Sequence, residues 1–103
     1  MAPATIAERA ADLIQAGHWA ASSLRAAFAY ATFGPGAYPK PVSGAYPDYA
    51  ALMAFERHWI GARRHRNDGQ LLSETATNRA ERVGKAETLS ALRLFVISTQ
   101  GSN

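Results

Sequence analysis

Four of the chain's five prolines crowd between Gly34 and Pro47, at positions 35, 39, 41 and 47. Proline fixes φ and removes a backbone donor, so neither a helix nor a central strand can run through this stretch. Gly-Ala-Tyr-Pro occurs twice here, at 36–39 and 44–47. Copies this close together are too short for solenoid units. A loop as long as 34–47 is unusual in a small domain and is commonly functional. Tyr38 and Tyr46 are expected to pack back onto the helices or to form a Tyr- and Pro-rich recognition surface.

On both sides of the loop the apolar spacing is helical. Ile6, Ala10, Leu13 and Ile14 fall on one side at 100° per residue, with Glu8, Asp12 and Gln15 opposite, which predicts an amphipathic helix over Ala4–Ala16. Thr5 and Glu8 fit a capping box at its start, and Gly17 fits its C-terminal end. A second helix is expected from Trp19 to Phe33, with Leu24, Ala27, Phe28 and Ala31 on one face and Trp19, Tyr30 and Phe33 nearly opposite. A third is expected from an Asp48 cap to about Asn67, with Gly69 past its end. Its wide apolar arc holds Tyr49, Leu52, Phe55, Trp59 and Ile60. Glu56 and Arg63 fall inside that arc and need opposite charges or an escape to water. Gly61 would sit mid-helix, where a glycine implies close approach of another backbone. This third helix is expected to be the structural centre. A fourth helix spans about Gln70–Val83, ended by Gly84. The last segment, Ala86–Thr99, has a helical face of Leu89, Leu92, Phe95 and Val96, although the run Leu94–Ile97 also suits a strand.

These elements predict an all-α protein of four or five short helices in one domain over residues 1–103, wrapped by the single Pro/Tyr loop. Of 103 residues, 22 are alanine and only 27 are large apolar or aromatic, so the core is thin.

Composition also narrows the chemistry. Without cysteine there is no disulfide framework, thiol catalysis or thiolate metal site. Fourteen uncharged residues between Arg25 and Lys40, broken by Pro35 and Pro39, fall short of the roughly 20 apolar residues of a membrane span. The first residues lack a basic start followed by an apolar run, as a secretory signal would have. A cytoplasmic protein without a membrane partner is therefore expected. There is no nucleophile elbow, phosphate-cradling loop or dinucleotide fingerprint. His58 and His65 would stand about 10 Å apart along a helix, too far to share a metal. His65 with Asp68 offers at most two ligands, and Glu8 and Asp12 read as surface carboxylates. A non-enzymatic protein with no cofactor is expected.

One cluster stands out. Residues 57–66 read Arg-His-Trp-Ile-Gly-Ala-Arg-Arg-His-Arg, with four arginines, two histidines and no acid. The net charge of +3 arises wholly in the second half: residues 1–51 carry three basic and three acidic side chains, residues 52–103 eight and five. Arg57 and Arg64 would stack on one side of a continuous helix, with His58 and His65 beside them. Cations near a helix C-terminus also stabilise the helix dipole without any ligand. Nucleic acid, a nucleoprotein or an acidic protein surface would equally answer such a patch. A helix-turn-helix fits poorly, because the recognition helix, Ser22–Thr32, carries one Arg and no Asn, Gln or Lys. The expected role is a small binding protein that docks Arg57, His58, Arg63, Arg64, His65 and Arg66 onto an anionic partner. The alternative is a protein–protein inhibitor or assembly subunit, of the kind that phage-encoded inhibitors of host defence represent in size and composition, using aromatic and loop surfaces.

Overall fold

The computed structural model describes residues 2–17, 24–34, 50–61 and 74–100. They form five helices: α1 (Pro3–Gln15), α2 (Leu24–Phe33), α3 (Ala50–Ile60), α4 (Ala76–Val83) and α5 (Lys85–Gln100). The protein is all-α, and no strand occurs among the described residues. The last segment is thus helical through Leu94–Ile97. Tyr38, Tyr46, Trp19 and the loop beyond Gly34 lie outside the described residues.

The helix at the centre is α1, not α3 as expected. It packs against α5, α2 and α3. Ala7, Ala10, Ala11 and Ile14 are wholly buried there. Small side chains let three helix backbones approach one axis, which is how an alanine-rich chain closes a core with few large residues. Leu24 and Phe28 of α2, Phe55 of α3 and Leu92 and Phe95 of α5 fill the remaining space. Phe55 is the hub. Its ring lies 6.1 Å from that of Phe28, 5.3 Å from Trp59 and 5.6 Å from Phe95. Trp59 itself is only half-buried against this core.

The start of α1 differs from the expected capping box. Ala2 is extended, Pro3 takes the first helical position, and no side chain caps the end. Proline is favoured there because its missing N–H would have no intrahelical partner. Thr5 falls inside the helix, in its first turn. Gly17, at φ +103, donates to the Ile14 carbonyl and closes the other end as expected.

The end of α3 carries the larger correction. The helix stops at Ile60, and Gly61 takes φ +92 while donating to the Arg57 carbonyl at 2.9 Å. Gly61 is a helix terminator, a left-handed position that glycine occupies without a Cβ penalty. A Cβ placed on it would meet nothing within 4 Å, so no backbone packs against it. Likewise α4 begins at Ala76, not near Gln70. Thr75 caps it by accepting from the Asn78 N–H at 3.0 Å.

Candidate functional site

Two helix ends meet where the basic cluster starts, and each supplies what the other lacks. The first N–H groups of a helix and its last carbonyls have no intrahelical partners. Glu56 of α3 reaches across and its Oε2 accepts from the buried Ala76 N–H at 2.6 Å, at the start of α4. In return Arg79 of α4 donates through Nη1 to the Trp59 carbonyl at 3.0 Å, in the last turn of α3. The Arg79 guanidinium also lies 5.3 Å from the Trp59 ring centroid, a cation–π contact. Glu56, expected to need an opposite charge, instead meets the positive end of a helix dipole.

Glu74, just ahead of α4, holds this junction in place. It accepts from Arg79 Nε at 3.3 Å and from Arg82 Nε and Nη2 at 2.8 and 3.0 Å. The hydrogen bonds from Arg82 hold the Glu74 carboxyl below the usual carboxylate range, and Glu74 in turn raises Arg82.

Against that background Arg57 differs. Six arginines fall among the described residues. Arg9 reaches the Ala31 carbonyl, Arg93 binds Asp12 and Gln15, Arg79 and Arg82 are engaged as above, and Arg25 also has a partner. Arg57 alone of the six has no side-chain partner among the described residues, and it is exposed on the last turn of α3. His58 is exposed beside it, with its ring 5.4 Å from that of Phe95. At 100° per residue Met53, Arg57 and Ile60 share a side of α3, and Met53 is 53% exposed.

The continuous helix on which Arg57 and Arg64 were expected to stack ends at Ile60, with Gly61 outside it. Arg63, Arg64, His65 and Arg66 lie outside the described residues, as does Asp68. Among the described residues no three His, Asp or Glu side chains gather as a metal site would require. No helix among them is long and apolar enough to cross a membrane.

A second surface was not anticipated. Leu94 and Ile97 stand 58% and 64% exposed on the outer side of α5. Beside them a shallow groove of about 250 Å³ is lined by His58, Trp59, Glu87, Ser90, Ala91 and Leu94. The signal for it was present in the sequence. Four consecutive apolar residues on a helix sweep through 300°, more than one buried face spans, so some must face outward. Phe95 and Val96 are buried, and Leu94 and Ile97 are the two left out.

A wider cleft of about 560 Å³ between α1 and α2 is lined by Arg9, Asp12, Leu13, Tyr30 and Phe33, among others. Its charges are already engaged, since Arg9 reaches the Ala31 carbonyl and Asp12 pairs with Arg93 at 3.1 Å. No protein-family model, curated protein or solved structure matches this chain.

Proposed function

We propose that this is a small non-enzymatic binding protein that docks the cationic end of α3 onto an anionic macromolecule, in the cytoplasm. The observation that carries the reading is Arg57. Alone among the six described arginines its guanidinium has no partner among the described residues, and it opens a run that continues in sequence with Arg63, Arg64 and Arg66. The competing explanation, a cation placed to stabilise its own helix end, is weakened because Arg79 already serves a terminal carbonyl of α3. Arginine suits phosphate and carboxylate alike through its planar fork.

The test is a fluorescence anisotropy titration with a short labelled oligonucleotide at two salt concentrations. Log affinity should fall linearly with log salt, by about 0.7 to 0.9 for each phosphate contacted. Arg57→Ala should flatten that slope by about one contact and leave the circular dichroism unchanged. Equal affinity for the variant would remove Arg57 from the site. No binding at low salt would exclude nucleic acid, and the same titration with an acidic peptide would then decide whether the partner is a protein.

A second reading, an assembly subunit or an inhibitor of another protein, is favoured by the exposure of Leu94 and Ile97.

A further inference from the structure

We infer that the anionic partner is a single-stranded nucleic acid, and that the groove between the end of α3 and α5 takes one unpaired guanine base while the phosphate beside it lies on Arg57. The inference rests on the docking of the α3 end proposed above and names its partner.

Charge selects the class of ligand. The groove begins at the residue after Arg57. His58 and Trp59 of α3 form one wall, and Glu87, Ser90 and Ala91 of α5 form the other. Glu87 is exposed and accepts no hydrogen bond among the described residues. Arg82 interacts with it through space, but the Arg82 side chain is held by Glu74 at 2.8 Å. This junction therefore offers a cation and, across the groove, a carboxylate, each without a hydrogen-bonding partner among the described residues. A ligand that answers both is anionic at one end and carries N–H donors at the other. An acidic peptide brings side-chain carboxylates to Glu87 as well as to Arg57, and like charges juxtaposed at an interface are costly. A nucleotide keeps its charge on the phosphate and its donors on the base, so it suits both.

Shape and hydrogen bonding select the base. The groove holds about 250 Å³, below the roughly 300 Å³ at which pockets for drug-sized ligands begin, and suits one planar heterocycle. A carboxylate only accepts, and it binds best through two parallel N–H bonds. Guanine alone among the bases offers two adjacent donors, N1–H and N2–H, with the acceptor O6 next to them. Ser90 stands three residues after Glu87 on the same side of α5, and its hydroxyl can donate to O6. In a duplex this edge is already paired, so the strand must be single. The Trp59 ring stacks on Phe55 at 5.3 Å and carries the Arg79 guanidinium at 5.3 Å, so it bounds the groove. The exposed His58 ring is the surface on which the base stacks.

The test is fluorescence anisotropy at low salt with a short labelled oligothymidylate, the same strand with one central guanine, and the same strand with inosine in that place. The guanine strand should bind about five- to tenfold more tightly than oligothymidylate, the lower end of what one bidentate pair discriminates. Inosine lacks the N2 amino group and should fall between them. Glu87→Gln should lose the guanine preference with unchanged circular dichroism and no loss of affinity for oligothymidylate. Glu81→Gln, an exposed carboxylate of α4 outside the groove, should keep the preference. Equal affinity for the guanine and thymine strands, or a preference that survives Glu87→Gln, would overturn the groove proposal and leave the docking of Arg57 standing. Binding of the acidic peptide with no binding of any strand would reject the nucleic acid and keep the cationic end of α3 as the site. Binding of neither would reject both.

Discussion

Replacing Glu56 probes the junction that presents the cationic end of α3. Its carboxylate accepts the Ala76 N–H at 2.6 Å, and Ala76 is wholly buried, so water cannot easily take the vacated place. Hydrogen bonds to charged groups contribute about 1.5–3 kcal/mol, and a buried donor left unpaired adds its desolvation cost. Glu56 is only half-buried, which favours the lower part of that range, and about 2 kcal/mol is expected for Glu56→Ala. In a domain of this size each kcal/mol moves the melting temperature by about 4–8 °C, so Glu56→Ala should melt roughly 10 °C lower. Glu56→Gln keeps a carbonyl acceptor and loses only the charge at the helix end, about 0.3–1 kcal/mol, or a few degrees. Thermal unfolding followed by circular dichroism at neutral pH reads both. The order should be parent, then Glu56→Gln, then Glu56→Ala. An Ala variant melting with the parent, or a Gln variant as unstable as the Ala variant, would refute the cross-capping argument.

Other outcomes follow from the same contacts. Phe55→Ala should cost about 3–5 kcal/mol, because the ring is wholly buried among three others, whereas half-buried Trp59→Ala should cost clearly less in paired denaturation curves. Glu74 is held below its ordinary carboxylate range by Arg82, so its contribution is present above the unfolded carboxylate value near pH 4.3 and is lost as pH falls through the lower folded value. Melting temperatures of the parent and Glu74→Gln should therefore converge as the pH falls below about 4, and a gap that persists there would reject the assignment. Arg93→Ala, which breaks the exposed α5–α1 pair, should shift stability by at most about 1 kcal/mol in the same assay.

The helical class and the faces of α1 and α2 were legible because they depend only on the spacing of Ile6, Ala10 and Ile14 and of Leu24, Phe28 and Ala31. Element ends were less legible, for reasons that differ. At α1, Thr5 and Glu8 satisfy the capping-box pattern, but Pro3 starts the helix two residues earlier, where it loses no hydrogen bond. At Gly61, a glycine inside a periodic stretch has two meanings, close packing or termination, and only the backbone angle separates them. That ambiguity propagated to the candidate site, because stacking Arg57 on Arg64 required the helix to continue. The partner of Glu56 was invisible for another reason. Its acceptor role depends on the start of α4, twenty residues away, and no local pattern encodes that meeting. The exposed pair Leu94 and Ile97 was readable in principle, from four adjacent apolar residues on a one-sided helix.

The most direct test of the central claim is an amide and side-chain NMR titration of isotopically labelled protein with a short single-stranded oligonucleotide and, in a parallel series, an acidic peptide, both at low salt. Saturable shifts are expected in one of the two series at the Arg57 side-chain N–H, at His58 and at the Gly61 amide, with Glu8 and Gln15 on the outer side of α1 unmoved. Shifts centred on α1, or none at the end of α3 in either series, would contradict it.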